Sequence, residues 1–349
     1  MDSNSTGSIT SSASPLTVIE TTSREPPATD FRDEFIATVR VAVLGVALFL
    51  TMAGNIVVLV LVLQSKPKSA HLSRIYYFLL HLSIADILVG IFNISPQLVW
   101  DIYFRFPLGN FACKIVKFLQ VFVLYLSTYV LAGMAVDRYL AIRSGINRPI
   151  VVVRTILSVS WLVAAVLASP QLYIFSFQKL PNGAHDCWAT FEPPITSFRY
   201  VLFFITAVLF IPVTLMALCY TYLSWIISKR SLSHTKLNPI RMTMVMVIVF
   251  VLCWTPFCCA QLYLESTGQV PSIFITLFLL VPNLNSCANP WVCLTFSTTL
   301  RRKLTDALSF FGFCEHLSVY RSKNAITISI LQYRPPNRSK RQPRAYRGA

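Results

Sequence analysis

Residues 113–143 read CKIVKFLQVFVLYLSTYVLAGMAVDRYLAIR, and this stretch decides the architecture. It contains no proline, is apolar on nearly every turn and exceeds the ~20 residues a helix needs to cross a bilayer. Polar side chains interrupt it at three depths. Cys113, Lys117 and Gln120 lie near its start, Ser127 and Thr128 near its middle, and Asp137, Arg138 and Tyr139 near its end. Charged residues in a membrane helix are costly, so they pair, face the protein interior and carry function. Interfacial anchoring is the plainer reading of the last three, with Arg138 snorkelling to headgroups and Tyr139 in an aromatic belt. The cysteine at the start of the span and the company of further spans argue for more.

Working outward, six other apolar runs flank this one. Together the seven cover roughly residues 35–64, 72–100, 112–142, 150–175, 198–227, 239–264 and 272–295. Only 13% of the chain is charged, against about a quarter in soluble domains, so lipid is its main solvent. The net charge of +16 suggests nucleic acid until the charges are placed. Lys66, Lys68 and Arg74 fall between spans one and two, Arg143, Arg148 and Arg154 between three and four, and Lys229, Arg230, Lys236 and Arg241 between five and six. That pattern predicts an extracellular N-terminus, a cytosolic C-terminus and no nucleic-acid partner.

The expected organisation is a disordered extracellular tail over 1–34, a membrane bundle over 35–295, an amphipathic helix on the membrane surface over 296–312, and a basic, disordered cytosolic tail over 313–349. The first residues have no apolar core of a signal peptide, so the first span is expected to act as an uncleaved insertion signal. Asn4-Ser5-Thr6 is a glycosylation acceptor in the outer tail. Cys314, after the surface helix, is a candidate for palmitoylation, with an unmodified thiol as the alternative.

Each span carries a landmark. Gly54-Asn55 lies in the first, Leu82-Ser83-Ile84-Ala85-Asp86 in the second, Asp137-Arg138-Tyr139 in the third and Trp161 in the fourth. Pro212 and Tyr220 lie in the fifth, Cys253-Trp254-Thr255-Pro256 in the sixth, and Asn285-Ser286-Cys287-Ala288-Asn289-Pro290 in the seventh. Any one is weak. In this order they resemble the rhodopsin-like (class A) G-protein-coupled receptors over nearly the whole chain between its tails. The resemblance implies an all-α seven-transmembrane bundle with a short eighth helix, a place in the plasma membrane, no catalytic residues, and a heterotrimeric G-protein, arrestin and a receptor kinase as partners.

It also implies roles. Asp137 and Arg138 pair at rest, and activation frees Arg138 to face Tyr220 and the G-protein. Pro256 removes a backbone hydrogen bond and kinks the sixth span, with Trp254 beneath the ligand. Asn289 and Pro290 complete the switch. Asp86 lies mid-membrane, where a carboxylate must be neutralised or partnered. The resemblance surrounds it with Ser127, Asn285 and Asn289 and places a sodium ion among them; a protonated Asp86 hydrogen-bonded to asparagine is the alternative. No other metal or cofactor is expected. Two residues depart from the family: Cys293 stands where tyrosine is usual, and Lys236 where many members carry an acid. Cys113 and Cys187 both fall on the oxidising side, so one disulfide is expected. Cys219, Cys253, Cys258, Cys259, Cys287 and Cys293 lie in apolar spans and read as small hydrophobes.

The outer ends are rich in amides: Gln97, Gln120, Gln171 and Gln261 each lie on a different span, with Lys117 one turn above Gln120. An isolated glutamine is more often a helix–helix contact, but four at one level can donate to and accept from a peptide backbone. Gln120 occupies the place where amine receptors carry Asp, which removes the counter-ion for a cationic amine. No lysine in the seventh span can hold retinal.

Pro96-Gln97-Leu98-Val99-Trp100-Asp101-Ile102, Lys117-Phe118-Leu119-Gln120-Val121, Ser127-Thr128-Tyr129 and Asp186-Cys187-Trp188-Ala189 are, more narrowly, similar to the vasopressin/oxytocin receptor family. That likeness implies a short, disulfide-ringed, C-terminally amidated peptide as extracellular ligand. It implies contacts at Gln97, Lys117, Gln120, Gln171 and Gln261, with Phe257, Asp101 and Trp188 completing the set. Asn93, Cys258 and Arg40 depart from it and suggest a divergent member, of which an invertebrate one is an example. Another neuropeptide of the same class is the nearest alternative. A bundle translocating ions or solutes through Asp86 and Asp137 is the alternative of a different class, and the absence of paired broken helices from the sequence pattern weighs against it.

Overall fold

The computed structural model describes residues 34–65, 74–103, 105–106, 108–143, 149–180, 183–229, 234–268 and 272–310. Asn4, Cys314 and most of both tails lie outside the described residues. In lipid the backbone must satisfy its own N–H and C=O groups, and each apolar run does so as a helix. These are α1 (Glu34–Leu63), α2 (Arg74–Tyr103), α3 (Gly109–Arg143), α4 (Ile150–Ile174), α5 (Ser197–Lys229) and α6 (His234–Thr267). α7 runs as Ile273–Leu280 and then Pro282–Phe296, with a 45° bend between them. The sequence pattern predicts a continuous helix there; Pro282, which has no N–H to donate, stands at the bend. A further helix, α8 (Thr298–Phe310), follows.

α3 is the centre of the bundle. It packs against α2, α4, α5 and α6, and 67% of its most apolar window is buried within the protein, against 22% for α4. Its polar side chains therefore meet protein rather than lipid. Close approaches hold the other helices. A Cβ on Gly54 would stand 2.9 Å from Cγ of Pro290, so α1 and α7 meet where only glycine fits. Beside that contact Asn55 Nδ2 donates to Ser286 O at 3.0 Å. Trp161 Nε1 of α4 donates to His81 Nδ1 of α2 at 3.3 Å.

Two features escape the sequence pattern. α2 and α5 each contain a wide π turn, at Gly90–Ile94 and Thr206–Phe210, and such turns displace carbonyls from the helix ladder. Gly90 O accepts from Ser95 Oγ at 2.8 Å, and Ala207 O from the Tyr129 hydroxyl at 2.9 Å. Between α4 and α5, where the sequence reads as plain loop, lies an antiparallel hairpin: β1 (Phe175–Lys179) and β2 (His185–Ala189), with Phe177 opposite Cys187. Gly183 turns it at φ 82°, a conformation that side chains disfavour. Cys187 is disulfide-bonded to Cys113 at the top of α3. Phe106, Ile174, Phe175 and Tyr200 form an apolar cluster around the bridge, with Trp100 against it.

Candidate functional site

Beneath the hairpin the adjoining ends of the helices hold polar atoms that burial makes expensive. Lys117 is buried, its ammonium 4.2 Å from the Trp100 ring centroid and 5.2 Å from that of Phe175. Its Nζ has no hydrogen-bond partner among the described residues, nor have Gln97 Oε1 or either amide atom of Gln120. Gln97 Nε2 reaches Asp101 Oδ1 at 3.2 Å. Asp101 is in turn clamped by Arg40 of α1, whose Nε and Nη2 donate at 3.2 and 2.6 Å. Gln97 and Phe257 line one small cleft with Asn93, Leu124 and Asn283. Asn93 Nδ2 donates to Asn283 Oδ1 at 3.0 Å across its wall.

Another amide of the expected ring already has a protein partner. Gln171 donates to the Tyr200 hydroxyl of α5, so its amide nitrogen already serves a helix–helix contact. Gln261 is buried in α6. Trp188 is half-buried in β2, opposite Ser176. Its neighbour Asp186 does more: its Oδ1 accepts from the N–H groups of Cys187 and Phe106 at 2.8 and 3.1 Å, and Arg105 stands 3.8 Å from its Oδ2. Burial raises this carboxyl above the usual carboxylate range, opposed by those two N–H groups, by Arg105 and by Lys117.

Deeper in the bundle Asp86 is fully buried. Ser127 Oγ and Ser286 Oγ donate to its Oδ1 at 2.7 and 2.8 Å, and Asn289 Nδ2 to its Oδ2 at 2.8 Å. Ser127 and Asn289 stand where the sequence places them. Asn285 makes no hydrogen bond to Asp86 among the described residues, whereas Ser286, one residue on, does. The Oδ1 atoms of Asn285 and Asn289 are buried without hydrogen-bond partners. Above this layer Trp254 packs against Phe257, Phe250 and Phe204 at 5.7, 6.1 and 6.2 Å, with Pro256 inside the same helix.

At the opposite end Asp137 is buried and bound by two arginines, its neighbour Arg138 and, unforeseen, Arg74 of α2. Among the described residues no hydrogen bond joins Tyr220 to Arg138; its hydroxyl donates to Thr243 of α6. Cys293 is buried.

The profile of the family described as "7 transmembrane receptor (rhodopsin family)" matches residues 54–292. The chain belongs to that family. Within the rhodopsin family it is similar to an isotocin receptor of Catostomus commersonii, 34% identical with 79% of each chain covered. It is 33% identical to a mesotocin receptor of Rhinella marina, over 89% of this chain and 90% of that one, and 33% identical to an oxytocin receptor of Ovis aries, over 86% of each. These relatives make it a rhodopsin-family receptor of the vasopressin/oxytocin type, a multi-pass membrane protein. Three residues of this receptor's sites were absent from the set expected from sequence: Arg74, Asn283 and Ser286. Arg40 and Asn93 stood out as departures from the family, which was a usable signal; Arg74 and Ser286 gave none, because their partners lie 63 and 200 residues away.

Proposed function

We propose that this receptor binds a short, disulfide-ringed, amidated peptide of the vasopressin/oxytocin type at its outer mouth and activates a heterotrimeric G-protein at its cytosolic end. One observation carries the reading. Lys117 Nζ, Gln97 Oε1 and both amide atoms of Gln120 are buried and unpartnered under a lid tethered to α3. Buried polar atoms left unpaired cost about 1–3 kcal/mol each, and a ligand made of carbonyls and amides offsets that cost. The names of the relatives favour the same class.

In this reading the N-terminus is extracellular, the C-terminus cytosolic, and the membrane that of the cell surface. Ligand seated on Phe257 bears on Trp254 and the kinked α6. Outward movement of α6 breaks the Tyr220–Thr243 bond and frees Tyr220 to meet Arg138. Arrestin and a receptor kinase then act on the same open face, and α8 lies on lipid. The donors around Asp86 suit a sodium ion: one carboxylate, two hydroxyls and the unpartnered Oδ1 atoms of Asn285 and Asn289 are hard oxygens of the kind it takes. Bound there, sodium would neutralise Asp86 in the resting state.

The test is a panel of cyclic amidated peptides against cells expressing the receptor, read as calcium and cAMP. Guanine-nucleotide exchange on purified G-protein follows with the best peptide. Peptide-dependent exchange supports the reading. A silent panel moves the ligand to another neuropeptide, and transport without exchange would replace the receptor reading with a translocating bundle.

A further inference from the structure

The ends of α3 and α5 near Arg143 and Lys229 carry a row of cations and aromatic rings that the proposed signalling does not use. Arg143 Nη1 donates to the Tyr139 hydroxyl at 2.8 Å, with its guanidinium 5.9 Å from that ring. Tyr139 meets Tyr222 of α5 edge-on at 4.8 Å. Tyr222 lies 6.0 Å from Trp225, and the Lys229 ammonium sits 4.4 Å over the indole. Because α3 and α5 pack directly, the row bridges two helices.

Two observations say what fits it. The first is charge. Residues 138–154 contain four cations and 229–241 four more, while 138–185 and 193–264 contain no Asp or Glu at all. The nearest acid in sequence, Asp137, is buried and engaged by Arg74 and Arg138. The second is an apolar track. Ile211, Leu218 and Trp225 are 50%, 67% and 53% exposed and stand seven residues apart, so they lie on one stripe of α5. The stripe ends at the cationic row.

We propose that this row binds the headgroup of an anionic phospholipid, with the lipid's acyl chain along the Ile211–Leu218–Trp225 stripe. Arg143 and Lys229 hold the phosphate oxygens, and the indole of Trp225 lies at the headgroup boundary, where amphipathic rings collect. A soluble anion would use the cations and leave the stripe idle. The assignment of the leaflet rests on the orientation proposed above; the binding itself does not.

The experiment uses full-length receptor in nanodiscs of phosphatidylcholine carrying a minor share of a phosphatidylinositol phosphate. Retained lipid is read by native mass spectrometry, and contact by quenching of Trp fluorescence with the brominated lipid. Cations beside an anionic headgroup contribute roughly fivefold each, so Arg143→Gln/Lys229→Gln should retain about tenfold less lipid or worse. Trp225→Phe should remove the lipid-specific quenching. Arg301→Gln/Arg302→Gln removes the same charge elsewhere and should retain lipid as the wild type does. Either single variant, Arg143→Gln or Lys229→Gln, replaces the double one if its thermal unfolding is altered. Equal retention by wild type and double variant overturns the proposal, and so does an equal loss in the control, which would mean diffuse attraction. Free inositol phosphate binding as tightly as the lipid would also overturn it in favour of a soluble anion. Both nanodisc leaflets are alike, so the readout is independent of orientation, which protease accessibility of the tail in intact cells tests separately.

Discussion

Replacing Lys117 with methionine separates two effects that the wild-type pocket combines. The side chain is 1% exposed and its ammonium has no hydrogen-bond acceptor among the described residues. Trp100 and Phe175, at 4.2 and 5.2 Å, offer cation–π attraction of about 2 kcal/mol. Taking an ammonium out of water costs several kcal/mol even after relaxation. The empty pocket is therefore left roughly 1–3 kcal/mol less stable than one filled by an uncharged chain. Methionine has similar length, fills the space and rests against the same rings. A ligand carbonyl or carboxylate that reaches Nζ gains a charge-assisted bond of about 1.5–3 kcal/mol, or roughly 10–150-fold in affinity. Lys117→Met should thus raise the unfolding temperature of the purified, ligand-free receptor by a few degrees while weakening peptide binding at least about tenfold. Thermal unfolding and competition binding on the same preparation measure both. An empty variant that melts lower while binding peptide as well as the wild type would mean that the structure, and not the ligand, holds the ammonium; the argument from buried unpartnered atoms would then fail.

Three further outcomes follow from the contacts. Cys113→Ser and Cys187→Ser should each abolish surface peptide binding, because the bridge links residues 74 apart and tethers the hairpin over the cleft; full binding by either variant would mean the lid holds without it. Sodium should lower agonist affinity in the wild type and have no effect in Asp86→Asn, whose amide brings no charge to the cation; equal sodium sensitivity in both would place the ion elsewhere. Arg40→Glu turns a neutral Arg40–Asp101 pair into two adjacent carboxylates, so matched cyclic peptides with Arg in place of Leu in the tail should gain about tenfold relative preference. An unchanged Leu/Arg ratio would remove Arg40 from the ligand's surroundings.

The bundle was legible because its cause is local. Apolar length alone makes a helix in lipid, and the predicted spans begin and end within a few residues of α1 to α7. Gly54, Asn55, Trp161 and Asp86 were legible as landmarks, and each is now seen at a helix–helix contact. What escaped was pairing at long range. Asp137 bonds its neighbour, as its position suggests, but nothing near it in sequence points to Arg74. Asn285 and Ser286 are adjacent, and only the rotation of α7 decides which of them donates to Asp86. Arg40 stood out from sequence as a departure, and the structure joins it to Asp101 on another helix. Gln171 was legible by its level in the membrane, but its bond to Tyr200 was not. The hairpin was hidden for a different reason: Phe175–Lys179 and His185–Ala189 are short, and the disulfide and apolar cluster that support them come from elsewhere in the chain.

The π turn at Thr206–Phe210 sets the rotational phase of α5. An α-helix advances about 100° per residue, and a π turn accommodates one residue more than the regular winding. Every side chain beyond it is thereby rotated against those before it. Tyr200 and Phe204 lie on one side of the turn and Tyr220 on the other, and all three are buried. Loops elsewhere tolerate a lost residue at little cost. Here a single deletion would leave an intact, fully hydrogen-bonded helix, but would swing Tyr220 away from Thr243 or Tyr200 away from Gln171. The two ends of the bundle are thus timed to one another by a single residue, and a receptor lacking it could fold and still be deaf.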